Sequence, residues 1–310
     1  MSAKRELTEM IETETVRGGG LLAADRPVVV LFSGGRDSTC LLDLAVQISG
    51  AGSVTALHVN YGLREGAAVD ERHCAGVCEA LGVSLEVRRP PSSAHGNLQA
   101  WAREIRYSAA TEIAGGGDVA AGHTASDQVE TILYRLASSP SRRALLGMRP
   151  REGQLVRPLL TYTREQTAAY CTARGLQWRE DESNDDPAFA RNRVRAELVP
   201  ALRRIHPAAE ENVLALSKLL RDEADVLDLL VDAALDGGSE ISLTVLRDQP
   251  PGVRRLIVQR LADEAVGGPA PGIARRAEEI AAMGPTAMLD LPRVRARTER
   301  GMLRFERLAA

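Results

Sequence analysis

The segment Ser33-Gly34-Gly35-Arg36-Asp37-Ser38 combines residue types suited to nucleotide chemistry. Its glycines let the backbone approach a ligand closely, and its serines add hydroxyl donors. If a helix begins after this turn, its unpaired N–H groups and its dipole attract an anion. A carboxylate repels phosphate unless a cation lies between them, so Asp37 predicts a bound Mg²⁺. The alternative is an ordinary strand-to-helix turn with Ser and Asp capping.

Two further acids, Asp127 and Glu130, stand three residues apart near the start of a predicted helix. That spacing puts both carboxylates on one helix face. Because a short strand precedes this helix, the pair is expected in the crevice beyond the carboxyl ends of the strands. The alternative is a capped amphipathic helix, with Ser126 as its cap and the acids complementing the dipole.

Arginine supplies nearly all of the clustered positive charge. Arg191 and Arg193, with Asn192 between them, suit phosphate or transition-state charge, because guanidinium binds phosphate bidentately. Arg103 and Arg106 share a helix face and are candidates to meet phosphates together, with exposed surface as the alternative.

Three arginine clusters in an acidic chain favour a polyanionic partner, although each cluster alone is also consistent with a solvated surface. The clusters are Arg135, Arg142, Arg143, Arg149, Arg151 and Arg157; Arg191, Arg193, Arg195, Arg203 and Arg204; and Arg293, Arg295, Arg297, Arg300, Arg304 and Arg307.

Apolar runs and helical periods alternate from residue 28 to about 205, which predicts an α/β fold with a parallel sheet covered by helices. A catalytic domain is expected over 1–205, and a smaller, mainly helical domain with short terminal strands over 206–310. The predicted strands are Val28–Phe32, Val54–Asn60, Ser84–Arg88, Val119–Gly122, Thr286–Leu291 and 304–306; the predicted helices are Val69–Leu81, Leu98–Ile113, Ser126–Ala137, Ala208–Leu235, 252–265 and 272–283.

The composition sets broad limits on the class of protein. The chain has 310 residues, 44% of them hydrophobic, and a net charge of −3, which disfavours indiscriminate nucleic-acid binding. No signal peptide or membrane-length apolar run is present, so a cytoplasmic location is expected. The four cysteines form no C-x-x-C pair; Cys74 and Cys78 are expected to be buried free thiols rather than metal ligands.

The Ser-Gly-Gly-x-Asp-Ser pattern resembles the PP-loop of the ATP pyrophosphatases, which transfer AMP to a substrate oxygen and release pyrophosphate. It is neither a Walker A loop, since Gly-Lys-Ser/Thr is absent, nor a dinucleotide fingerprint, since the third glycine is absent.

Further segments resemble the tRNA(Ile)-lysidine synthetases, a family within this superfamily. Two departures from the family pattern are Tyr61 in place of a histidine and Ser126 in place of an acid. The matching segments are His58-Val59-Asn60-Tyr61-Gly62-Leu63-Arg64, Ala102-Arg103-Glu104-Ile105-Arg106-Tyr107, residues 121–131, 144–150, 157–160, 175–178 and 181–184, and Arg191-Asn192-Arg193-x-Arg195.

The resemblance implies an enzyme that uses ATP and Mg²⁺ to join free L-lysine to the wobble cytidine of an isoleucine tRNA with a CAU anticodon. It implies a short form without the last C-terminal domain, for which the basic end of the chain is a candidate compensating tRNA surface; a homodimer is a candidate assembly. The implied roles are ATP binding for Ser33, Gly34, Gly35, Arg36, Asp37, Ser38, His58, Asn60, Arg103 and Arg106; Mg²⁺ binding for Asp37; lysine binding for Asp127 and Glu130; catalysis for Asp37, Asp127, Glu130 and Arg193; and tRNA binding for Arg191 and Arg195.

Three alternative functions fit the sequence less well. A related tRNA thiolase would need sulfur-handling or cluster-binding cysteines, and an amidotransferase-coupled relative would need a glutamine-hydrolysing domain or partner. A non-catalytic nucleotide-binding RNA module is disfavoured by Asp37, Asp127 and Glu130. Which carboxylate accepts the proton of the attacking amine, and whether Arg36 reaches phosphate or solvent, are left open by the sequence.

Overall fold

The computed structural model describes residues 11–62, 66–91, 98–139, 144–179 and 190–308. The chain divides into two compact units, Met1–Ser217 and Lys218–Ala310. The domain boundary predicted near residue 206 lies in a turn. The structure instead divides inside the following helix, between Ser217 and Lys218. The first turns of that helix belong to the first unit because Val213 and Leu214 pack in a cluster with Val129 and Val199.

The first unit is built on a six-stranded sheet with the order β3-β2-β1-β4-β6-β5, in which every pairing is parallel except β5 with β6. Its strands are β1 (Val28–Leu31), β2 (Val54–Val59), β3 (Ser84–Arg88), β4 (Asp118–Ala120), β5 (Arg151–Glu152) and β6 (Leu155–Val156). Its helices are α1 (Thr13–Gly18), α2 (Arg36–Ser49), α3 (Ala67–Leu81), α4 (Leu98–Ala114), α5 (Ala125–Ser138), α6 (Arg164–Ala173), α7 (Ala190–Arg193) and α8 (Val199–Ile205), and α9 (Ala209–Leu235) crosses the division.

The order of the strands explains where a ligand site forms. All four residues of β1 are buried, as expected for the centre of a parallel sheet covered on both faces. The chain winds from β1 outward to β3 and then returns to β4 on the other side of β1. A crevice therefore opens between the carboxyl ends of β1 and β4. The predicted α/β class is confirmed, although the β5–β6 hairpin and α6 were not predicted.

The second unit packs helices around an antiparallel sheet with the order β7-β10-β9-β8. Its strands are β7 (Glu240–Ser242), β8 (Ala287–Leu291), β9 (Val294–Glu299) and β10 (Met302–Arg307), and its helices are α10 (Leu243–Asp248), α11 (Pro251–Val266) and α12 (Ala277–Ala281), with a 3₁₀ turn at Ile273–Arg276. The sheet is larger than the predicted short terminal strands. In β9 the buried Val294, Ala296 and Thr298 alternate with charged residues, which is the period of a strand with one buried face. The arginines of this segment were assigned to a basic cluster, and the strand was not predicted.

Two simpler predictions concern thiols and membranes. Cys40, Cys74, Cys78 and Cys171 are all free and buried. Within the described residues, no helix is both long enough and apolar enough to cross a bilayer.

Candidate active-site crevice

The turn between β1 and α2 has the conformation of an anion cradle. Gly34 has a φ of +79°, and α2 begins after Gly35 without a side-chain cap. The Ser38 hydroxyl donates to the Gly35 carbonyl at 2.8 Å and accepts the Ser33 N–H at 3.3 Å. The loop is therefore held by its own hydroxyls, while the first turn of α2 presents backbone N–H groups to the crevice.

A close approach from α3 explains why position 34 needs glycine. A Cβ atom there would lie 3.0 Å from Cys74 Sγ and 3.1 Å from the His73 ring. Behind the same turn, buried His58 places its Nδ1 3.1 Å from the carbonyl oxygen of Phe32. His58 supports the end of β1, and its predicted contact with adenosine stays a prediction.

Asn60 shapes the next turn along the sheet. Its amide nitrogen donates to Glu71 at 2.8 Å, and its Oδ1 accepts the Gly62 N–H at 2.9 Å. Of the predicted His58–Arg64 segment, residues 63–65 lie outside the described part of the chain. The predicted role of Asn60 in ATP binding likewise stays a prediction.

Asp37 lies at the start of α2, in contact with two cations and a hydroxyl. Arg36 Nε donates to Asp37 Oδ1 at 3.0 Å, and the Thr167 hydroxyl donates to the same oxygen. Arg164 Nε lies 3.8 Å from Oδ2. Arg36, which was left open between phosphate and solvent, thus forms an ion pair with Asp37.

The loop after β4 brings the second pair of acids to this point. A Cβ at Gly122 would lie 3.1 Å from the Asp37 carbonyl oxygen, so the two loops touch. The helix α5 then begins with a capping box in which Thr124 accepts the Asp127 N–H and Asp127 accepts the Thr124 N–H. The alternative in which Ser126 caps this helix is wrong, because Thr124 occupies the cap position.

Arg164 was missed by the sequence interpretation and lies at the centre of the crevice. Its Nη2 donates to Asp127 Oδ1 and its Nη1 to Glu130 Oε1, each at 2.6 Å. One guanidinium therefore joins both predicted lysine-binding carboxylates and also faces Asp37. A single arginine in a stretch without a recognised motif carries no signal in the sequence that would single it out.

Glu130 also lies within ion-pair distance of arginines from the segment that begins at residue 190. Arg195 donates from Nε to Glu130 Oε1 at 2.8 Å and from Nη2 to Oε2 at 3.2 Å. Arg191 Nε lies 3.9 Å from Oε2, and the Arg191 guanidinium also donates to the Thr131 hydroxyl. A π-helical turn over Val194–Leu198 carries Arg195 to this position, and such turns often occur at functional sites.

The charges of the crevice shift several pKa values. Burial alone would raise the pKa of Asp127, but the Arg164 charge and the Thr124 N–H bring it below its usual value. Burial alone would lower the pKa of Arg164, but the carboxylates of Asp127 and Glu130 raise it. Burial lowers the pKa of His123 to about 4, so this imidazole is neutral near pH 7. Its Nδ1 is buried without a hydrogen-bond partner among the described residues.

The predicted carboxylates of the crevice are thus more than neutralised by arginines of the protein itself. Three carboxylates face four guanidinium groups within ion-pair distance, with Arg36 and Arg164 joined by Arg191 and Arg195. The structure brings together Asp37, Asp127 and Glu130, as expected. The guanidinium groups of Arg191 and Arg195, which were expected to bind tRNA, lie beside the Glu130 carboxylate. Arg193 lies in α7 beside them.

Arg103 and Arg106 are exposed on α4. The Arg103 guanidinium stacks 4.6 Å from the centre of the Tyr107 ring. Its charge contributes to the lowered pKa of His123, and the charge of Arg106 acts on Tyr61. Both arginines therefore lie close enough to influence groups at the crevice, although neither is hydrogen-bonded to residues 33–38 in the described structure.

Many of the clustered arginines have structural partners. Arg151 pairs with buried Asp118 at 2.7 Å, and buried Arg157 donates to the Arg149 carbonyl at 2.6 Å. In the second unit, Arg295 pairs with Asp290. The expected basic surfaces are therefore largely mixed in charge; Arg142 and Arg143 lie outside the described residues.

No group of three or more His, Cys, Asp or Glu residues suited to a metal occurs among the described residues. Mg²⁺ in nucleotide sites is commonly bound through one or two carboxylates, with water and substrate phosphates completing its shell. Asp37 lies at the mouth of the anion cradle, and among the described residues only its Oδ1 accepts hydrogen bonds, so its carboxylate fits such a site.

Comparison with known proteins gives three findings. A family model described as a PP-loop domain matches residues 2–202. A tRNA(Ile)-lysidine synthase of Salinispora tropica is 40% identical over 263 residues, which cover 79% of this chain and 78% of that protein. One of Thermus thermophilus is 36% identical over 256 residues, which cover 78% of this chain and 50% of that protein.

Among solved structures, the U34-tRNA thiolase NcsA of Methanococcus maripaludis, determined with its [4Fe-4S] cluster, matches with a TM-score of 0.55 and 16% identity. The match covers 67% of this chain and 77% of that chain, and it shows the fold alone.

Proposed function

The chain belongs to the PP-loop family and, within it, to the tRNA(Ile)-lysidine synthases, and we propose that its crevice joins L-lysine to the wobble cytidine of isoleucine tRNA with a CAU anticodon. The observation that carries this proposal is the meeting of Asp37, Asp127 and Glu130 around Arg164, beside a glycine-rich anion cradle. A nucleotide site and an amino-acid site thus share one crevice. The tRNA substrate agrees with the cytoplasmic location expected from the sequence.

In the first step, O2 of the cytosine attacks the α-phosphorus of ATP, and the bond to pyrophosphate breaks. Ser33, Gly34, Gly35 and Ser38 would hold the leaving pyrophosphate through backbone N–H groups and hydroxyls. Asp37 would hold Mg²⁺, which when bound neutralises charge between the α- and β-phosphates. A wobble base lies in an anticodon loop and is already partly unstacked, which lowers the cost of bringing it into the crevice.

In the second step, the side-chain amine of lysine attacks C2 of the adenylated cytosine, and the C2–O bond to AMP breaks. Asp127 and Glu130 would orient the amines of lysine, while Arg191 or Arg193 would lie near the adenylated base. The amine must be neutral to attack and must then lose a proton. Neutral His123, whose Nδ1 has no hydrogen-bond partner in the described part of the chain, joins the carboxylates as a candidate acceptor.

The direct test incubates the full chain with ATP, Mg²⁺, radiolabelled lysine and a CAU isoleucine tRNA. We expect one lysine incorporated for each AMP and pyrophosphate released. The same tRNA with uridine at the wobble position is the control and should accept no lysine. Absence of incorporation by a folded, ATP-binding protein would contradict the proposed function.

A variant tests the role of Asp37 separately. Asp37→Asn should reduce tRNA-dependent pyrophosphate release at least about 100-fold, because charge in the transition state loses its stabilisation. Asp25→Asn makes the same substitution at an exposed position of the same unit and should leave release unchanged. Normal release by folded Asp37→Asn would remove Asp37 from the metal site.

A further inference from the structure

Within the proposed function, we propose that Arg164 is the positioning residue of the amino-acid site. It holds Asp127 and Glu130 as a fixed pair of acceptors for the two amines of a diamino acid, and it links them to Asp37 at the nucleotide site. No sequence motif marks this residue; the inference comes from the geometry of its three contacts.

First, one guanidinium group donates hydrogen bonds to two carboxylates. Its two terminal nitrogens donate separately, to Asp127 Oδ1 and to Glu130 Oε1, each at 2.6 Å. The planar fork fixes the two carboxylates relative to each other, which the single point charge of a lysine could not do. Its third nitrogen lies 3.8 Å from Asp37 Oδ2.

The second observation is the rigid mounting of Arg164. It is the first residue of α6, whose start is closed by a capping box between Thr163 and Gln166. Its own N–H donates to the Ser126 hydroxyl at 3.4 Å, at the start of α5. One turn later on the same face, the Thr167 hydroxyl donates to Asp37. Helix α6 thus contacts both the start of α5 and Asp37. The Arg164 side chain is only 19% exposed.

The third observation is the number of acceptor positions left for a ligand. An ionised carboxylate offers about four lone-pair positions. Among the described residues, Thr124 fills two positions on Asp127 Oδ2, and Arg164 fills one on Oδ1.

On Glu130, Arg164 and Arg195 fill both positions on Oε1, and Arg195 fills one on Oε2. One acceptor position therefore receives no hydrogen bond on each carboxylate among the described residues; on Glu130 it lies on Oε2, 3.9 Å from Arg191 Nε. Two single acceptors at a fixed separation suit a substrate with two amines, and Arg164 sets that separation.

The test compares Arg164→Met and Arg164→Lys with Arg174→Met as the matched control. Arg174 lies just after α6 and pairs with Asp43 at 3.2 Å, roughly 15 Å along the helix axis from Arg164. Tritiated lysine incorporation gives kcat and KM for lysine, and pyrophosphate release reports the first step. Circular dichroism checks that each variant is folded.

For Arg164→Met we expect lysine incorporation at limiting lysine to fall about 100-fold, chiefly through a raised KM, because a small misplacement of reacting groups has effects of that size. Pyrophosphate release should fall much less, since Arg36 and Thr167 still hold Asp37. Arg164→Lys should restore part of the loss, and folded Arg174→Met should keep wild-type kinetics in both steps.

An unchanged KM and kcat for lysine in Arg164→Met would overturn the inference while leaving the proposed function intact. An equal loss of pyrophosphate release and lysine incorporation would also overturn it, because Arg164 would then serve the nucleotide site. If Arg164→Met does not fold, Arg164→Lys decides: a raised KM supports the inference and wild-type kinetics overturn it. A wild-type protein that incorporates no lysine would overturn the proposed function, and this inference with it.

Discussion

Glu130 in the first unit faces three arginines and Glu306 in the second faces two, yet their surroundings differ completely. Glu130 lies 2.6 Å from Arg164 and 2.8 Å from Arg195, and its side chain is 2% exposed. Glu306 lies 3.1 Å from Arg304 and 3.6 Å from Arg297, and its side chain is 39% exposed.

The comparison shows that burial decides how much an arginine–glutamate ion pair contributes to the structure. On β9 and β10, water solvates each charge, so the pairs contribute little to stability. In the crevice, each charge is out of water and depends on its partners. Arginine clusters that are alike in the sequence therefore separate into a mixed-charge sheet surface and an organised site.

The largest effect is expected from Glu130→Gln compared with Glu306→Gln. Removing the Glu130 charge leaves guanidinium groups without compensation in a buried place, which costs about 3–5 kcal/mol. Glu306→Gln should cost less than about 1 kcal/mol. Urea unfolding of the full chain, followed by circular dichroism, measures both; equal costs would show that burial is not the deciding difference.

Gly34 in the first unit and Gly301 in the second allow a similar comparison of stability. Gly34→Ala and Gly301→Ala both place a side chain at positive φ, +79° and +80°, which costs about 1–2 kcal/mol. Only Gly34→Ala also drives a Cβ against Cys74 and His73, whereas nothing lies within 4 Å at Gly301. Gly34→Ala should therefore be the less stable variant and should lose pyrophosphate release. Similar unfolding midpoints would contradict the tight packing of the loop.

A pH dependence follows for Asp127. Burial raises its pKa, but the Arg164 charge and the Thr124 N–H outweigh burial and leave it below the usual range. The ionised carboxylate therefore stabilises the fold above its ordinary pKa of about 3.9, and this contribution is lost as pH falls through the lowered value.

Asp127→Asn should accordingly be less stable than wild type by about 1–2 kcal/mol at pH 7, the scale of a helix cap. The difference should shrink below about pH 4, where Asp127 of the unfolded chain takes up a proton while the folded carboxylate is still ionised. Unfolding free energies measured from pH 7 to pH 3 check this, and a constant difference over that range would contradict the ion pair with Arg164.

The smallest effect is expected at Arg295, whose guanidinium pairs with Asp290 on the exposed face of β8 and β9. Arg295→Gln should leave the urea midpoint unchanged within error, at low salt and at high salt, because water and ions screen this pair. A clear loss of stability would show that the second unit also relies on its surface charges.

Much of the first unit follows from local signals. The buried run Val28–Leu31, the glycine turn after it and the helix beyond it predict the cradle, because strand period, glycine and helix start are properties of neighbouring residues. The spacing of Asp127 and Glu130 likewise predicts a shared helix face. Helix α6 was not predicted, although Thr163 and Gln166 have the Thr-x-x-Gln spacing of a capping box, which is a local signal for a helix start.

The amino-acid sequence alone was sufficient for the family and the α/β class, and it singled out the glycine turn before α2 and the three carboxylates as candidates, since each depends on short-range pattern. The tertiary structure decided which charges meet. The contacts of Arg164 with Asp127 and Glu130 span 37 and 34 residues, and that of Thr167 with Asp37 spans 130. Such pairs are set by the order of strands in the sheet, which brings distant loops to one edge. That packing surrounds the three predicted carboxylates with four arginines, with Arg164 at the centre.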